Sequence, residues 1–258
     1  MHETPAFTSE GAHGDLPKSP IKEAFANSTP DMVRVVCTAL MNVIPVVATI
    51  FGAAYAVQFS YDIGFHKSVY LWIPVVGNIV AVLVIPFVGN LSDKIGRCPL
   101  MIGGSLLSGL LSFAYLYAIS IHNVPFAFLM SLLMWRSVVY QGYNAIFPSY
   151  YPELFPTRSR VSAMAIAQNI GTTITALLPA LFAAVAPPGS NNIPLTVGAL
   201  AFGVTIIAAI AAYTARETYR IRLNDLGKKD AVPMSEQEYE RLRAGSMAVE
   251  KVAKARHA

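Results

Sequence analysis

Tyr70-Leu-Trp-Ile-Pro-Val-Val-Gly-Asn-Ile-Val-Ala-Val-Leu-Val-Ile-Pro-Phe-Val88 is a run of 19 residues without a charge. As a helix rising about 1.5 Å per residue it would be roughly 28 Å long, close to the thickness of a bilayer's hydrocarbon core. It ends abruptly in Gly89-Asn-Leu-Ser-Asp-Lys-Ile-Gly-Arg-Cys-Pro99, where glycine, charge and proline crowd together. The same alternation of apolar run and polar gap extends in both directions. Upstream lies about Val33–Val57, preceded by the helix-start residues Thr29, Pro30 and Asp31. Downstream come about Leu100–Ile119, Pro125–Phe147, Val161–Val185 and Pro194–Tyr213. The runs are continuous rather than alternating, so helices are expected and a barrel is not. The expected fold is all-α, a polytopic membrane protein with six transmembrane helices.

Composition agrees. Of 258 residues, 54% are hydrophobic and 13% charged, against about 45–50% and about 25% in soluble domains. The net charge of +4 forms no basic face, which argues against nucleic acid as a partner. Cys37 and Cys98 stand alone, so neither a disulfide framework nor a zinc site is implied. No phosphate-binding glycine loop, GxSxG or HExxH occurs, and no cofactor or metal is expected. Without a nucleophile-base pair, an enzyme is the weakest reading.

Residues 1–30, with Pro5, Pro17, Pro20 and Pro30, read as a mobile segment; 31–215 as the six-helix domain; 216–258 as a basic tail. In the tail, Ser235 and Glu238 fit a capping box. Lys251, Lys254 and Arg256 could meet anionic lipid, although a solvated tail is the ordinary reading. Six spans put both termini on one side, together with Arg34, Lys94, Arg97, Arg158, Arg160, Arg216, Arg220 and Arg222. The other side receives Lys67, His66 and His122. An excess of Lys and Arg marks the cytoplasmic face, so both termini are expected in the cytoplasm and the spans in the plasma membrane.

Within Gly89–Arg97, Gly89 and Gly96 permit tight turns, Ser92 and Asp93 offer capping side chains, and Lys94 and Arg97 fix the gap to the basic side. This motif resembles the signature loop between helices eight and nine of the major facilitator superfamily. Tyr151-Pro-Glu-Leu-Phe-Pro-Thr-Arg-Ser-Arg160 is similar to the segment between helices ten and eleven in its metabolite:proton symporter branch. The resemblance covers about residues 30–220 and matches the C-terminal six-helix half. It implies two inverted three-helix repeats, with alternating access against a second six-helix half. It also implies that Asp93 and Arg97 hold and release a contact between halves, and that Glu153, Arg158 and Arg160 belong to the second cytoplasmic gap. Many relatives carry a basic residue at the position of Cys98, which implies a thinner charge network here.

Arg136 is the one charge well inside a run, with Tyr140, Tyr143 and Asn144 at i+4, i+7 and i+8. Such a face suits a pathway on which Arg136 meets a carboxylate, although bundle-ordering pairs are the alternative. Gln168, Thr172 and Thr175 share a face of the fifth run, and Asn42 and Thr49 flank a kink at Pro45 in the first. Gln141 is less well placed. Gly104, Ser105, Ser108 and Gly109 suit close packing of the third run, while the apolar sixth is expected to face lipid. No Asp or Glu lies inside a run, so a proton-carrying group is expected on the second half. The leading expectation is therefore a secondary transporter, or half of one, for a small polar metabolite such as an organic acid, coupled to protons. An oligomeric channel, or a non-transporting fragment that associates with a full-length transporter, is the alternative.

Overall fold

The computed structural model describes residues 20–136, 138–157, 159–222, 225–227 and 230–245. Six helices are long and apolar enough to cross a membrane: α1 (Ser28–Val57), α2 (Lys67–Ile95), α3 (Arg97–Ser120), α4 (Val124–Glu153), α5 (Arg160–Val185) and α6 (Ile193–Thr214). No strand occurs among the described residues. The all-α, six-span architecture is the one expected.

Two boundaries differ from the sequence reading. Helix already begins at Pro20 and passes through Pro30, so residues 20–30 are helical rather than a tail. Asp31 does not cap a helix start, because its carboxylate is engaged by Arg34 and Arg216. Likewise α2 continues through Pro74, Pro86 and Gly89 to Ile95. Gly89 is therefore not a turn residue, and the turn into α3 falls on Gly96 alone, at φ 98°. At the opposite end, the links between spans turn through the left-handed residues Asp62, His122 and Asn192.

The interior is built on α3, which packs most extensively against α6 and also against α4; α1 packs against α5 and α6. Small residues make this possible. A Cβ on Gly104 would meet the Val139 carbonyl, and one on Gly109 would meet Thr205 Oγ1. Between helices in lipid, dispersion and close approach replace the hydrophobic effect, so small residues bring the greater gain. For that reason α6 does not simply face lipid. Val197, Ala201, Thr205, Ala208 and Ala212 form a buried stripe, while Leu195, Ile207, Ile210 and Tyr213 point outward. The least buried spans are α2 and α5, the second helix of each three-helix set.

Two spans are irregular. α1 passes through a 3₁₀ turn at Leu40–Asn42, Pro45 and a π segment at Val46–Phe51. α4 holds a π segment at Leu132–Arg136. The interruptions touch, with Val43–Pro45 packed against Leu132–Arg136. Inside the first π segment the Ala48 carbonyl accepts from the hydroxyls of Tyr70 (2.6 Å) and Tyr115 (3.0 Å). Irregular backbone at membrane depth needs such side-chain partners. Gly52 leaves room for both phenols, since a Cβ there would lie 2.6 Å from Tyr115 Oη and 2.8 Å from Tyr70 Oη.

Candidate functional site

The two sequence signatures meet at the basic end of the bundle. Arg97, at the start of α3, forms an ion pair with Glu153, at the end of α4, and lies 3.9 Å from Asp93. The Thr218 hydroxyl donates to the same Glu153 carboxylate (2.6 Å). The Arg97 and Glu153 side chains are 12% and 17% exposed, whereas Asp93 is 44% exposed. Arg97 is thus closed onto its own bundle. Lys94 is exposed, Arg160 Nε donates to the Phe155 carbonyl (3.2 Å), and Arg158 lies outside the described residues.

Residues that the motifs did not single out complete this network. Glu217, just past α6, accepts from the Cys98 backbone N–H (2.9 Å), placing an anion at the N-terminus of α3 where the helix dipole favours it. Gly96 admits that carboxylate, because a Cβ there would lie 2.8 Å from Glu217 Oε2. Asp31 bridges Arg34 (2.7 Å) and Arg216 (3.1 Å), and Arg216 also donates to the Leu154 carbonyl (3.0 Å). Buried Cys98 approaches the Tyr150 hydroxyl at 3.2 Å. Around Cys98, therefore, the Glu217 carboxylate and the Arg216 carbonyl stand within reach, the latter 3.7 Å from Sγ. The available signals were Asp31 and Arg34 at i,i+3 and a lone acid directly after Arg216.

At mid-membrane the structure brings some of the expected pathway residues together. Asn42 Nδ2 donates to Thr172 Oγ1 (3.5 Å), joining α1 to α5. Gln168 is half-buried one turn away, and Asn169, Thr172 and Thr173 are exposed. On α4, Tyr140 and Tyr143 are buried, and Tyr143 meets the Tyr151 hydroxyl at 3.0 Å. Gln141, less well placed by helical spacing, is fully buried and accepts from half-buried Asn144 (3.0 Å). Arg136 ends the α4 π segment; its side chain lies outside the described part. Thr49 lines a separate cavity of about 550 Å³ between α1 and α2 that opens beside Lys67.

The tail does not extend freely into solvent. Its helix at 236–245 starts with the expected cap, the Glu238 N–H donating to Ser235 Oγ (3.3 Å), while the Glu238 carboxylate pairs with Arg222 (2.6 Å). Tyr239 and Arg243 donate to the Asp93 carbonyl (3.3 and 3.4 Å), and Arg243 also reaches Asn90. Tyr219 packs edge-on against Tyr239, with centroids 5.7 Å apart. Burial holds the Tyr239 phenol above its ordinary pKa, and the Asp93 charge adds to the effect. Lys251, Lys254 and Arg256 lie outside the described residues.

Similarity to known proteins runs across this architecture. The proline/betaine transporter of Salmonella typhimurium is 35% identical over 98 residues, 38% of this chain and 19% of that protein. The proline/betaine transporter of Escherichia coli is 30% identical over 133 residues, 52% of this chain and 26% of that protein. The citrate-proton symporter of Klebsiella pneumoniae is 25% identical over 176 residues, covering 67% and 38%. The chain thus spans well under half the length of these relatives. No solved structure matches. The family pattern described as Major Facilitator Superfamily fits residues 37–251, from the first span through the docked tail. With six helices, two joined signature gaps and that match, the chain belongs to the Major Facilitator Superfamily, whose members are membrane transporters and not enzymes.

Proposed function

We propose that the chain is one half of a proton-coupled secondary transporter, working by alternating access against a second six-helix half. The observation that carries this reading is the outward face of α5. Asn169, Thr172 and Thr173 are exposed there, about 14–20 Å along the helix from Arg160 and so near mid-bilayer. Polar groups at that depth suit a hydrated pathway or a partner better than acyl chains. The pathway would include Asn42, Gln168 and Thr172, with Arg136, Tyr140 and Asn144 contributed from α4. Half-exposed Asp93 would face the second half, while Arg97 holds Glu153. The basic end, with Arg34, Lys94, Arg97, Arg160 and Arg216, is assigned to the cytoplasm, which puts both termini there and the spans in the plasma membrane.

The relatives' names support a carboxylate-bearing substrate. Proline, betaine and citrate each carry a carboxylate, and Arg136 is the group this sequence offers to meet one. Because the acids of the spans, Asp31, Asp93 and Glu153, all lie at their basic ends and none at mid-helix, the titrating group is assigned to the second half. The test is uptake of labelled proline, betaine and citrate into vesicles holding the chain with any six-helix chain that co-purifies, under an imposed inward proton gradient. The expected result is saturable uptake that a protonophore abolishes and that Arg136→Gln lowers about tenfold or more. Flux that neither saturates nor depends on the proton gradient would overturn the transporter reading in favour of a channel.

A further inference from the structure

On the face of the bundle away from α2, the start of α1 and the end of α6 leave a groove of about 220 Å³. Val33, Cys37, Ile207, Ile210 and Ala211 form its walls, and Arg34 and Thr214 stand at the end nearest the charged network. From Thr214 to Ile207 it runs roughly 10 Å into the membrane. Val33, Ile207 and Ile210 are exposed, at 55%, 47% and 58%, so the groove opens toward acyl chains. Tyr213, 79% exposed, stands at the same level, where amphipathic aromatic rings mark the membrane–water boundary. Thr214 satisfies its own hydroxyl on the Ala211 carbonyl (3.1 Å), which leaves Arg34 as the charged group at the mouth.

Arg34 is 32% exposed and pairs with Asp31, whose carboxylate also serves Arg216. Arg34 gives Asp31 Oδ1 a hydrogen bond from Nη1 (2.7 Å), and its part-exposed guanidinium, with five N–H donors in all, can hold a further anion. Asp31 is itself 8% exposed and engaged by both arginines, so it offers little to the ammonium of a zwitterionic headgroup. We propose that this groove is a binding site for an anionic phospholipid, one acyl chain lying between α1 and α6 and the phosphate on Arg34. Basic pockets between transmembrane helices at a membrane face are suited to such headgroups.

Native mass spectrometry of the full chain, in detergent with equal amounts of phosphatidylglycerol and phosphatidylethanolamine, tests the site. One phosphatidylglycerol should be retained with about fivefold preference, the worth of one basic residue near a membrane surface. Arg34→Lys should keep the preference and Arg34→Gln should remove it. Ala211→Phe, which fills the groove, should lower phosphatidylglycerol retention severalfold, whereas Leu195→Phe at the far end of α6 should not. Equal retention of the two lipids by the unaltered chain, or a preference that survives Arg34→Gln, would overturn the site. Displacement of the lipid by soluble glycerol phosphate would show a headgroup site without a chain groove and would equally overturn it. If Arg34→Gln does not fold, the lipid ratio of the unaltered chain and the Ala211→Phe result decide.

Discussion

Gly89 and Gly96 stand in the same signature motif, yet a methyl group should act in opposite directions at the two. Gly96 has φ 98° and ψ 160°, a region open almost only to glycine, and a Cβ there would collide with Glu217. Gly89 lies inside α2, and a Cβ added there would meet nothing within 4 Å; at such a position alanine is the better helix former. Gly96→Ala is expected to cost about 1–3 kcal/mol, and Gly89→Ala to gain about 0.5–1 kcal/mol. Thermal unfolding in one detergent reads both, and shifts of the same sign would contradict the assignment. The Arg97–Glu153 pair makes a second test at this scale. Arg97→Gln and Glu153→Gln each remove a charge-assisted hydrogen bond, worth about 1.5–3 kcal/mol. The double substitution should cost less than the two single ones summed. Strict additivity would mean that the pair contributes nothing to the folded bundle.

The elements are legible in the sequence where hydrophobicity alone decides them, as in the charge-free stretch Tyr70–Val88, and illegible where partners come from far along the chain. Thr29-Pro30-Asp31 and Gly89 look like helix boundaries locally, but Asp31 is claimed by Arg216, 185 residues away, and the chain continues helical through both sites. The expected polar face of α4 assumes an unbroken 3.6-residue period. Arg136 instead closes a π segment at Leu132–Arg136, and Asn144 donates to buried Gln141, a residue off the expected face. Between α1 and α5, Asn42 meets Thr172, a contact 130 residues apart that spacing within either run does not predict. For the tail, the Ser235 cap is readable but its docking on Asp93 is not, since Tyr239 lies 146 residues away. That docking should depend on pH. The raised pKa of Tyr239 means that the docked state favours the neutral phenol. Its contribution is complete below the ordinary tyrosine value near 10 and is lost as pH rises through the higher docked value. Spin labels at Lys94 and Glu240 should show one short distance at neutral pH that broadens in strong alkali. Tyr239→Phe should dock more weakly without that alkaline step; the same alkaline midpoint in both proteins would assign the titration to another group.

At the scale of the whole molecule, burial is distributed in a way that points outward. α2 and α5 are each 22% buried across their most apolar window, against 40–56% for the others. Both are the second helix of a three-helix set, and α5 adds Asn169, Thr172 and Thr173 to its open face. If that face borders water between two halves, a thiol placed on it can ionise and react; in hydrocarbon it stays protonated and inert. With Cys37 and Cys98 replaced by serine, cysteines at Asn169 and Thr172 are expected to react with a charged, membrane-impermeant thiol reagent at least about tenfold faster than one at Ile210, which faces outward on α6. A carboxylate substrate that occupies the pathway should slow the reaction at Asn169, where Thr172 is intact, and leave Ile210 unchanged. Because Thr172 bonds Asn42, the substitution Asn42→Ala should loosen α5 from α1 and blunt the substrate's protection without altering the Ile210 rate. Equally slow labelling at all three positions would put α5 against lipid. The mid-membrane pathway would then have to lie elsewhere on the bundle, while the ion pair between the two signature gaps would stand unaffected.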